Sequence, residues 1–428
     1  MREWGGSAIP DNRWDLLDES TPDVAPMVSV IVSHYRQPDQ LARTLRALQR
    51  QDHPPHRLEV IVADDGSPGI LQLPAGVRSV RQDDAGFRLA AVRNLGAAAA
   101  TGDVLVFLDA DTTPTRAFIR ELVRLPALAS DCITVGRRRH ACLCGLPADA
   151  DIEKGVVGRE LRDPSWLVEG YAASRNLLDA DDRSYRFVIG AVLACSRRLF
   201  DEVGGFDESF TTYGGEDWEW AYRAWIRGAM FAHVPAAVAW HDGPDAAVRA
   251  PGGGAAKNDE AIRLSELIPL PGSRGRGVRS KRVDIAVTGP SSTSTPGQFF
   301  VSVDSVVAAI PGSEPVDRQE FDRPEAFAGE VTDRLDRVRV RVDILQPVVV
   351  SGDALAAQVA RVDSEHLGAL LIVDGDGTEL IRIASTRATA RHAHWCRDDL
   401  FHTDRSGCEG VRRLVDEVDL EGYLGGWA

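Results

Sequence analysis

The stretch TGDVLVFLDADTTP, residues 101–114, constrains the fold more than any other. Residues 104–108 are five apolar residues in a row, which predicts a central parallel strand covered on both faces. The strand ends on Asp109 and Asp111, and ligands of open α/β sheets bind at the carboxyl ends of strands. Residues i and i+2 of an extended segment point the same way. Two carboxylates so placed suit Mg²⁺ or Mn²⁺ shared with substrate phosphates, although they could also simply end the strand and begin a turn.

Composition narrows the class of protein. A chain of 428 residues is expected to form two or three domains. The net charge of −15 argues against a nucleic-acid partner, whose binding site would be basic. No stretch reaches 18 apolar residues and the N-terminus lacks the apolar core of a secretory signal, so we expect no transmembrane segment. Six cysteines in so long a chain do not make a disulfide framework, and the expected location is the cytoplasm.

Other polar residues follow predicted strands or begin predicted helices. MVSVIVSHY, a leucine-spaced helix and LEVIVADDGS form a β-α-β unit before the central strand, which predicts a parallel sheet. Residues 84–100 are predicted to form a helix that carries Arg93, and residues 188–195 a strand. In TYGGEDWEW two glycines place Glu216 and Asp217 at a helix N-terminus, and the strand VAWH ends on His241. Taken singly, each residue has an ordinary structural alternative, such as a turn, a helix cap, a solvated arginine or a structural histidine.

The chain is predicted to contain an N-terminal arm (1–25), an α/β domain (26–250), a linker rich in Gly and Pro (251–280) and a smaller C-terminal α/β domain (281–428). In the last, RVDIAVTG echoes VSVIVSHY, and VDGDGTELI, with Asp374 and Asp376, echoes FLDADTTPTRAFI. We therefore hypothesise an internal, shortened copy of the first domain. It lacks a GGED block and is expected to be non-catalytic, with a role in stability, acceptor binding or dimerisation.

Six blocks in order carry a family resemblance: VSVIVSHY, VADDGS, GFRLAAVRNLG, GDVLVFLDAD, GGFDESFTTYGGEDWEWAYR and AWH. This order resembles family-2 glycosyltransferases of the GT-A fold, a Rossmann-like nucleotide-diphospho-sugar transferase domain. The similarity is greatest to the transferase domains of bacterial chondroitin- and heparosan-type polymerases. The YGGED block is also similar to that of animal β-1,4-galactosyltransferases.

The resemblance implies a role for each matched position. The nucleotide would be bound by Tyr35, Asp65, Arg93 and Asp109. The metal ion would be bound by Asp109, Asp111 and His241. The implied catalytic residues are Asp217, as the general base, and Glu216 beside it, which contacts the acceptor.

The expected function is a metal-dependent (Mn²⁺ or Mg²⁺) inverting transfer of a hexose or N-acetylhexosamine. The donor would be a UDP-sugar and the acceptor a glycan or small-molecule glycoside. A single transfer is favoured over polymerisation, because dual-site polymerases carry two full transferase domains. One alternative is a nucleotidyltransferase, which would need a basic glycine-rich loop where the chain has HYRQPDQ. Another is a non-catalytic sugar-nucleotide-binding protein, and association into a homodimer is left open.

Overall fold

A computed structural model describes residues 5–244, 254–275, 277, 280–318 and 334–425, with the side chains of 254–256 excepted. The chain divides into two compact units. The first comprises residues 2–225 and 229–263, and the second comprises residues 226–228 and 264–428. The expected boundary at 250/251 and the first four residues of the expected arm lie outside the described residues.

The first unit is built on an eight-stranded sheet within its described part, in the order β3-β2-β1-β4-β7-β6-β8-β5. Its elements are β1 Val28–His34, α1 Pro38–Leu48, β2 Leu58–Asp64, β3 Val77–Arg81, α2 Leu89–Ala99, β4 Val104–Asp109, β5 Thr112–Pro114, α3 Phe118–Leu128, β6 Cys132–Ala141, α4 Ile152–Gly155, α5 Ser165–Ala173, β7 Val192–Ser196, α6 Arg197–Val203, α7 Glu216–Ile226, β8 Met230–Asp242 and α8 Gly254–Leu267, whose residues up to 263 belong to this unit.

The parallel core of this sheet confirms the prediction from the sequence. Strand β1 pairs in parallel with both β2 and β4, and every residue of β1 is buried. Helix α1 buries the leucines that the spacing singled out. The strands end together, since His34 pairs with Asp64 and Ser33 with Asp109. Carboxylates thus lie at the edge where α/β sheets bind ligands.

Two elements begin later than predicted. Helix α2 starts at Leu89, because residues 84–88 form a loop in which the backbone N–H of Arg88 donates to Asp65 at 3.0 Å. Strand β7 starts at Val192, because the preceding loop turns the N–H of Gly190 toward Asp217 at 2.9 Å. In both cases a backbone N–H of the loop donates a hydrogen bond to a carboxylate of the predicted site.

Residues 5–25 pack against the rest of the first unit. Ile9 and Leu17 are buried in one cluster with Met230 and neighbouring residues of α3, β6 and β8. The Asn12 side chain donates to the carbonyl of Phe231 at 2.9 Å and accepts from its N–H at 2.8 Å. This pairing satisfies backbone groups that the sheet leaves open. The region expected to be a linker contains the helix α8.

The second unit has a six-stranded sheet among its described residues, in the order β10-β9-β11-β14-β13-β15, and a two-stranded pair β12-β16. Its elements are β9 Ile285–Thr288, α9 Pro296–Ala309, β10 Ser313–Pro315, β11 Val340–Ile344, β12 Val348–Val350, α10 Ala354–Ser364, β13 Leu367–Val373, β14 Glu379–Ser385, α11 Thr386–Trp395, β15 His402–Ser406, β16 Val411–Arg413 and α12 Leu420–Tyr423. No helix in the described ranges is both long and apolar enough to cross a bilayer.

The second unit repeats the strand order and strand directions of the first. Along β2-β1-β4-β7-β6-β8 the neighbouring pairs are parallel, parallel, antiparallel, antiparallel and parallel. The same series holds along β10-β9-β11-β14-β13-β15. The side pairs β5-β8 and β12-β16 are both antiparallel. The topology therefore supports the hypothesis of a shortened copy, with β9 equivalent to β1 as predicted.

Two serines fix which residues of the two sheets correspond. Ser196 lies opposite Val104 and caps α6, and Ser385 lies opposite Val340 and caps α11. Each side chain accepts a hydrogen bond from the backbone N–H three residues further on, as helix caps do. Strand β11 is therefore the equivalent of β4.

This correspondence places Leu345 and Pro347 where the first unit has Asp109 and Asp111. Backbone hydrogen bonds agree with the match. The carbonyl of Pro347 accepts across β12-β16 at 2.8 Å, as the carbonyl of Asp111 does across β5-β8 at 2.9 Å. The second unit has no carboxylate at either position.

The predicted equivalence of VDGDGTELI to the aspartate pair is wrong. Asp374 and Asp376 lie in the turn of the antiparallel β13-β14 hairpin, where both accept backbone N–H bonds from Thr378. The likeness arose because Asp-Gly repeats are also the composition of tight hairpin turns.

Candidate active site

Arg93 joins the end of β4 to the start of α7. Its guanidinium donates to Asp109 at 2.9 Å and to Glu216 at 2.8 Å, and its side chain is 2% exposed. Helix α2 delivers Arg93, so three distant parts of the chain meet here. One buried cation held between two carboxylates is a costly arrangement that is tolerated only when its hydrogen bonds are made. The contact brings together a residue predicted for the donor and one predicted for the acceptor.

Asp217 is held by backbone N–H groups. Its Oδ2 accepts from Gly190 at 2.9 Å and its Oδ1 from Trp218 at 2.8 Å. Burial raises the pKa of Asp217 despite these bonds, which favour the ionised form. The carboxylate is thus oriented, half-buried and more basic than an ordinary aspartate.

Glu216 is the more deeply buried of the two acids. Burial, together with the charge of Asp217, raises the pKa of Glu216 to about 7, although Arg93 opposes the shift. One oxygen binds Arg93, while Oε2 has no hydrogen-bond partner among the described residues. A buried oxygen without a partner is uncommon and is available to a ligand.

The loop before α7 is fixed from two sides. Gly214 and Gly215 both have φ of +93°, a conformation that glycine adopts without strain. Arg223 of α7 donates to the carbonyls of Val203 and Gly205, and Asn94 of α2 donates to that of Phe206. The glycines therefore start the helix where the two acids face Arg93 and Gly190.

Asp111 and His241 meet across the β5-β8 pair. Nε2 of His241 lies 3.6 Å from Oδ2 of Asp111, and Gln37 donates to the same oxygen at 3.2 Å. Nδ1 of His241 lies 3.2 Å from the carbonyl of Gly243, which leaves Nε2 toward the carboxylate. An imidazole and a carboxylate are donors that suit Mn²⁺. Within the described ranges no group of three or more His, Cys, Asp or Glu residues is placed to hold a metal ion.

Asp109 has partners different from those of Asp111. Arg93 engages Asp109, whereas Gln37 and His241 engage Asp111. The structure thus places both aspartates at the end of β4, and their hydrogen bonds separate them into an arginine-bound and a histidine-facing carboxylate.

The predicted nucleotide residues lie after β1 and β2. Asp65 is buried and accepts from the side chain of Gln82 at 2.5 Å and from the backbone of Arg88. Tyr35 is 39% exposed and its hydroxyl donates to Asp84 at 3.2 Å. These contacts form a group of their own, distinct from the one around Arg93.

Sequence reasoning missed several residues of this region. Gln37 and Gln82 carried no motif, and Asp84 fell at the start of the predicted helix 84–100. Trp166 belonged to none of the sequence blocks, and the structure places it, exposed, on the short helix α5. Glu260 lay in the predicted linker, yet its carboxyl oxygens lie 3.0 and 3.2 Å from the position that a Cβ on Gly214 would take.

Comparison with known proteins agrees with this architecture. Residues 29–150 match the sequence family described as glycosyl transferase family 2, and residues 178–240 match the N-terminal domain of galactosyltransferase. The chain is 30% identical over 265 residues to the chondroitin synthase of Escherichia coli, covering 56% of this chain and 38% of that enzyme. It is also 30% identical over 224 residues to the validoxylamine A glucosyltransferase of Streptomyces hygroscopicus subsp. limoneus, covering 47% and 49%.

Among solved structures, GalNAc-T7 with UDP, GalNAc and Mn²⁺ is 21% identical, with a TM-score of 0.39 over 53% of this chain and 44% of that one. A likeness this low says nothing about the ligands of the present chain. Both family matches lie in the first unit, which carries a family-2 glycosyltransferase region similar to chondroitin synthases. Its mixed sheet is the one expected for the GT-A fold. The resemblance seen in the sequence is confirmed, and the chain spans less than half of the length of these relatives.

Proposed function

We propose that the first unit transfers a hexosyl or N-acetylhexosaminyl group from a UDP-sugar to an acceptor hydroxyl, with inversion at the anomeric carbon. The observation that carries this proposal is the bridge of Arg93 between Asp109 and Glu216. It joins the strand end at which a donor diphosphate would lie to the helix start that carries Asp217. A donor site and a base on separate segments are what an in-line displacement requires, because the base must face the side opposite the leaving group.

Asp217 would act as the general base. Its raised pKa strengthens it as a proton acceptor, and the N–H groups of Gly190 and Trp218 fix its orientation. As the acceptor oxygen attacks, its proton passes to Asp217 while the bond to the UDP oxygen breaks. Glu216 would accept a hydrogen bond from the acceptor through its unpartnered Oε2.

Asp111 and His241 would hold a divalent ion, Mn²⁺ or Mg²⁺. Both side chains are largely buried, and their facing atoms are a carboxylate oxygen and an imidazole nitrogen. Because two protein ligands fill only part of the ion's coordination sphere, diphosphate oxygens and water would complete it, as is usual for ions shared with phosphates. The ion would neutralise the charge that develops on the leaving UDP.

The second unit is proposed to be non-catalytic. Leu345 and Pro347 replace the aspartates in the matched register, and Arg413 stands where His241 stands. A hydrophobic residue, a proline and an arginine provide no side-chain ligand for a divalent cation. The described residues thus contain one proposed transfer site, which favours a single transfer over polymerisation.

The test is UDP release from a panel of UDP-sugars with Mn²⁺, with and without EDTA. Chelator-sensitive release from one donor is expected, because transferases hydrolyse their donor slowly without an acceptor. Incubation with nucleoside triphosphates and sugar phosphates serves as the control for a nucleotidyltransferase. Pyrophosphate release in that control, with no UDP release from any donor, would contradict the proposal. UDP that binds without turnover of any donor, with or without acceptors, would instead support the sugar-nucleotide-binding alternative.

A further inference from the structure

An exposed aromatic cluster stands beside the proposed base. Trp166 of α5 is 41% exposed, although tryptophan is usually among the better buried residues. Its ring stacks on Phe187 with centroids 6.4 Å apart and meets the edge of Trp218 at 6.1 Å. Trp218 is the residue that follows Asp217 and donates its N–H to that carboxylate. A partly exposed indole is thus held next to the proposed base.

The framework under this cluster is buried and ordered by hydrogen bonds. The hydroxyl of Tyr171 donates to the carbonyl of Phe187 at 2.7 Å, and Phe187 packs closely on Gly170 of the same helix as Tyr171. Tyr185 is buried, and its ring centroid lies 6.3 Å from that of Trp218. These contacts therefore hold the Trp166 side chain in place and offset the unfavourable free energy of its exposure to water.

A carboxylate lies on the other side of the acidic helix start. Glu260 of α8 is half-buried and approaches Gly214, two residues before Glu216. Arg263 keeps this part of α8 in place through a hydrogen bond to Ser209 and a cation–π contact with Phe210. Glu260 thus joins Glu216 and Asp217 around the start of α7.

The charges around this space are unequal. Glu216 and Asp217 interact with Arg93, which is already shared with Asp109. Glu260 lies close enough to Asp217 for the two charges to repel. Lys257 on α8 is exposed, and Arg186 is engaged with Tyr185. A ligand that carried a carboxylate would meet like charge at short range, which is strongly unfavourable in a partly desolvated site.

We propose that Trp166 and Glu260 form the acceptor subsite, which takes a sugar ring bearing hydroxyl or amino groups and rejects a ring bearing a carboxylate. The apolar face of the ring stacks on the Trp166 indole, and Glu260 accepts hydrogen bonds from the groups at its far edge. This inference rests on the proposed transfer, since it assigns the substrate that supplies the attacking hydroxyl.

The test measures glycoside binding to the protein saturated with UDP and Mn²⁺, by calorimetry, and acceptor-stimulated UDP release in parallel. A phenyl glucoside, the matching 2-amino-glucoside and the matching glucuronide form a panel in which single substituents differ. The neutral and amino compounds should bind, and the glucuronide should bind at least about 10-fold more weakly. Equal or tighter binding of the glucuronide, or no binding of any of the three, overturns the inference.

Variants separate the two residues. Trp166→Ala should raise the acceptor dissociation constant about 10-fold, and Trp166→Phe should restore most of the affinity, because a phenyl ring also stacks. Val168→Ala, at an exposed position of the same helix, is the matched control and should change nothing. Glu260→Gln should reduce the ratio of the glucuronide dissociation constant to the glucoside dissociation constant. Unchanged glycoside affinity in both Trp166→Ala and Glu260→Gln contradicts the subsite.

Donor hydrolysis without acceptor distinguishes this inference from the proposed function. If every variant hydrolyses the UDP-sugar at the rate of the unaltered protein and glycoside affinity does not depend on Trp166, the proposed transferase function is retained and the proposed subsite is wrong. If the unaltered protein neither hydrolyses nor binds any UDP-sugar, the transferase proposal fails first.

Discussion

At the scale of single residues, the Asp217 carboxylate combines orientation with basicity. Asp217→Asn keeps the size of the side chain and one oxygen for the N–H of Gly190, but it removes the proton acceptor. We expect transfer to fall by about 10²–10⁴-fold, the usual contribution of a general base. UDP affinity, measured by calorimetry, should be nearly unchanged. The control is Asp201→Asn, which alters another aspartate of raised pKa, on α6. Equal turnover by Asp217→Asn would end the assignment of the base.

A second residue-scale prediction concerns pH. Below its pKa of about 7 Glu216 is neutral, and above that pH its negative charge makes the neighbouring Asp217 more basic. The pH profile of kcat/KM should therefore rise through pH 7. In Glu216→Gln this step should vanish, and only the titration of Asp217 should remain in the profile. A step near pH 7 that persists in Glu216→Gln would show that another group titrates there.

At the scale of elements, the loop before β7 sets the geometry of both acids. A Cβ on Gly190 would lie 2.6 Å from a guanidinium nitrogen of Arg93, which is buried and cannot move into solvent. Gly190→Ala should loosen the bridge to Glu216 and cost about 1–3 kcal/mol of stability. Transfer should fall at least about 10-fold, because the Asp217 anchor shifts as well. Thermal melts and kcat check this, with Gly375→Ala as a control in open space. Unaltered kcat would show that the loop does not position the acids.

Elements also show how far the sequence could predict the structure. The apolar runs at β1, β2 and β4 predicted the parallel core, since short, unbroken runs of β-branched residues are typical of strands buried on both faces. The bridge of Arg93 could not be predicted, because no local pattern in a sequence indicates that α2 meets α7. The proposed subsite of Trp166 and Glu260 was missed because no sequence pattern marks the two helices on which these residues lie. The Asp-Gly repeat of the β13-β14 turn was wrongly matched to the aspartate pair, because hairpin turns and metal-binding motifs are both rich in aspartate.

At the scale of the whole molecule, two units with the same topology differ in the residues at the strand ends. We expect one UDP to bind per chain in the presence of Mn²⁺, because Leu345 and Pro347 replace the aspartates in the second unit. Calorimetry gives the stoichiometry. Asp111→Ala should abolish metal-dependent binding altogether. Two sites per chain would locate a nucleotide in the second unit, and unchanged binding by Asp111→Ala would contradict the proposed role of Asp111.

The backbone ladder between β5 and β8 has a consequence for how the metal site behaves. Thr112 pairs with His241, and the N–H of Asp242 donates to the carbonyl of Asp111 at 2.9 Å, so both proposed ligands belong to one rigid strand pair. Sites that assemble only as a chain folds make metal binding and folding a single event. Here the strand pairing itself sets the positions of the two proposed ligands, so loading and removing the ion should require no refolding. Chelation should therefore act as a reversible switch on turnover, with the melting temperature of the nucleotide-free protein left where it was.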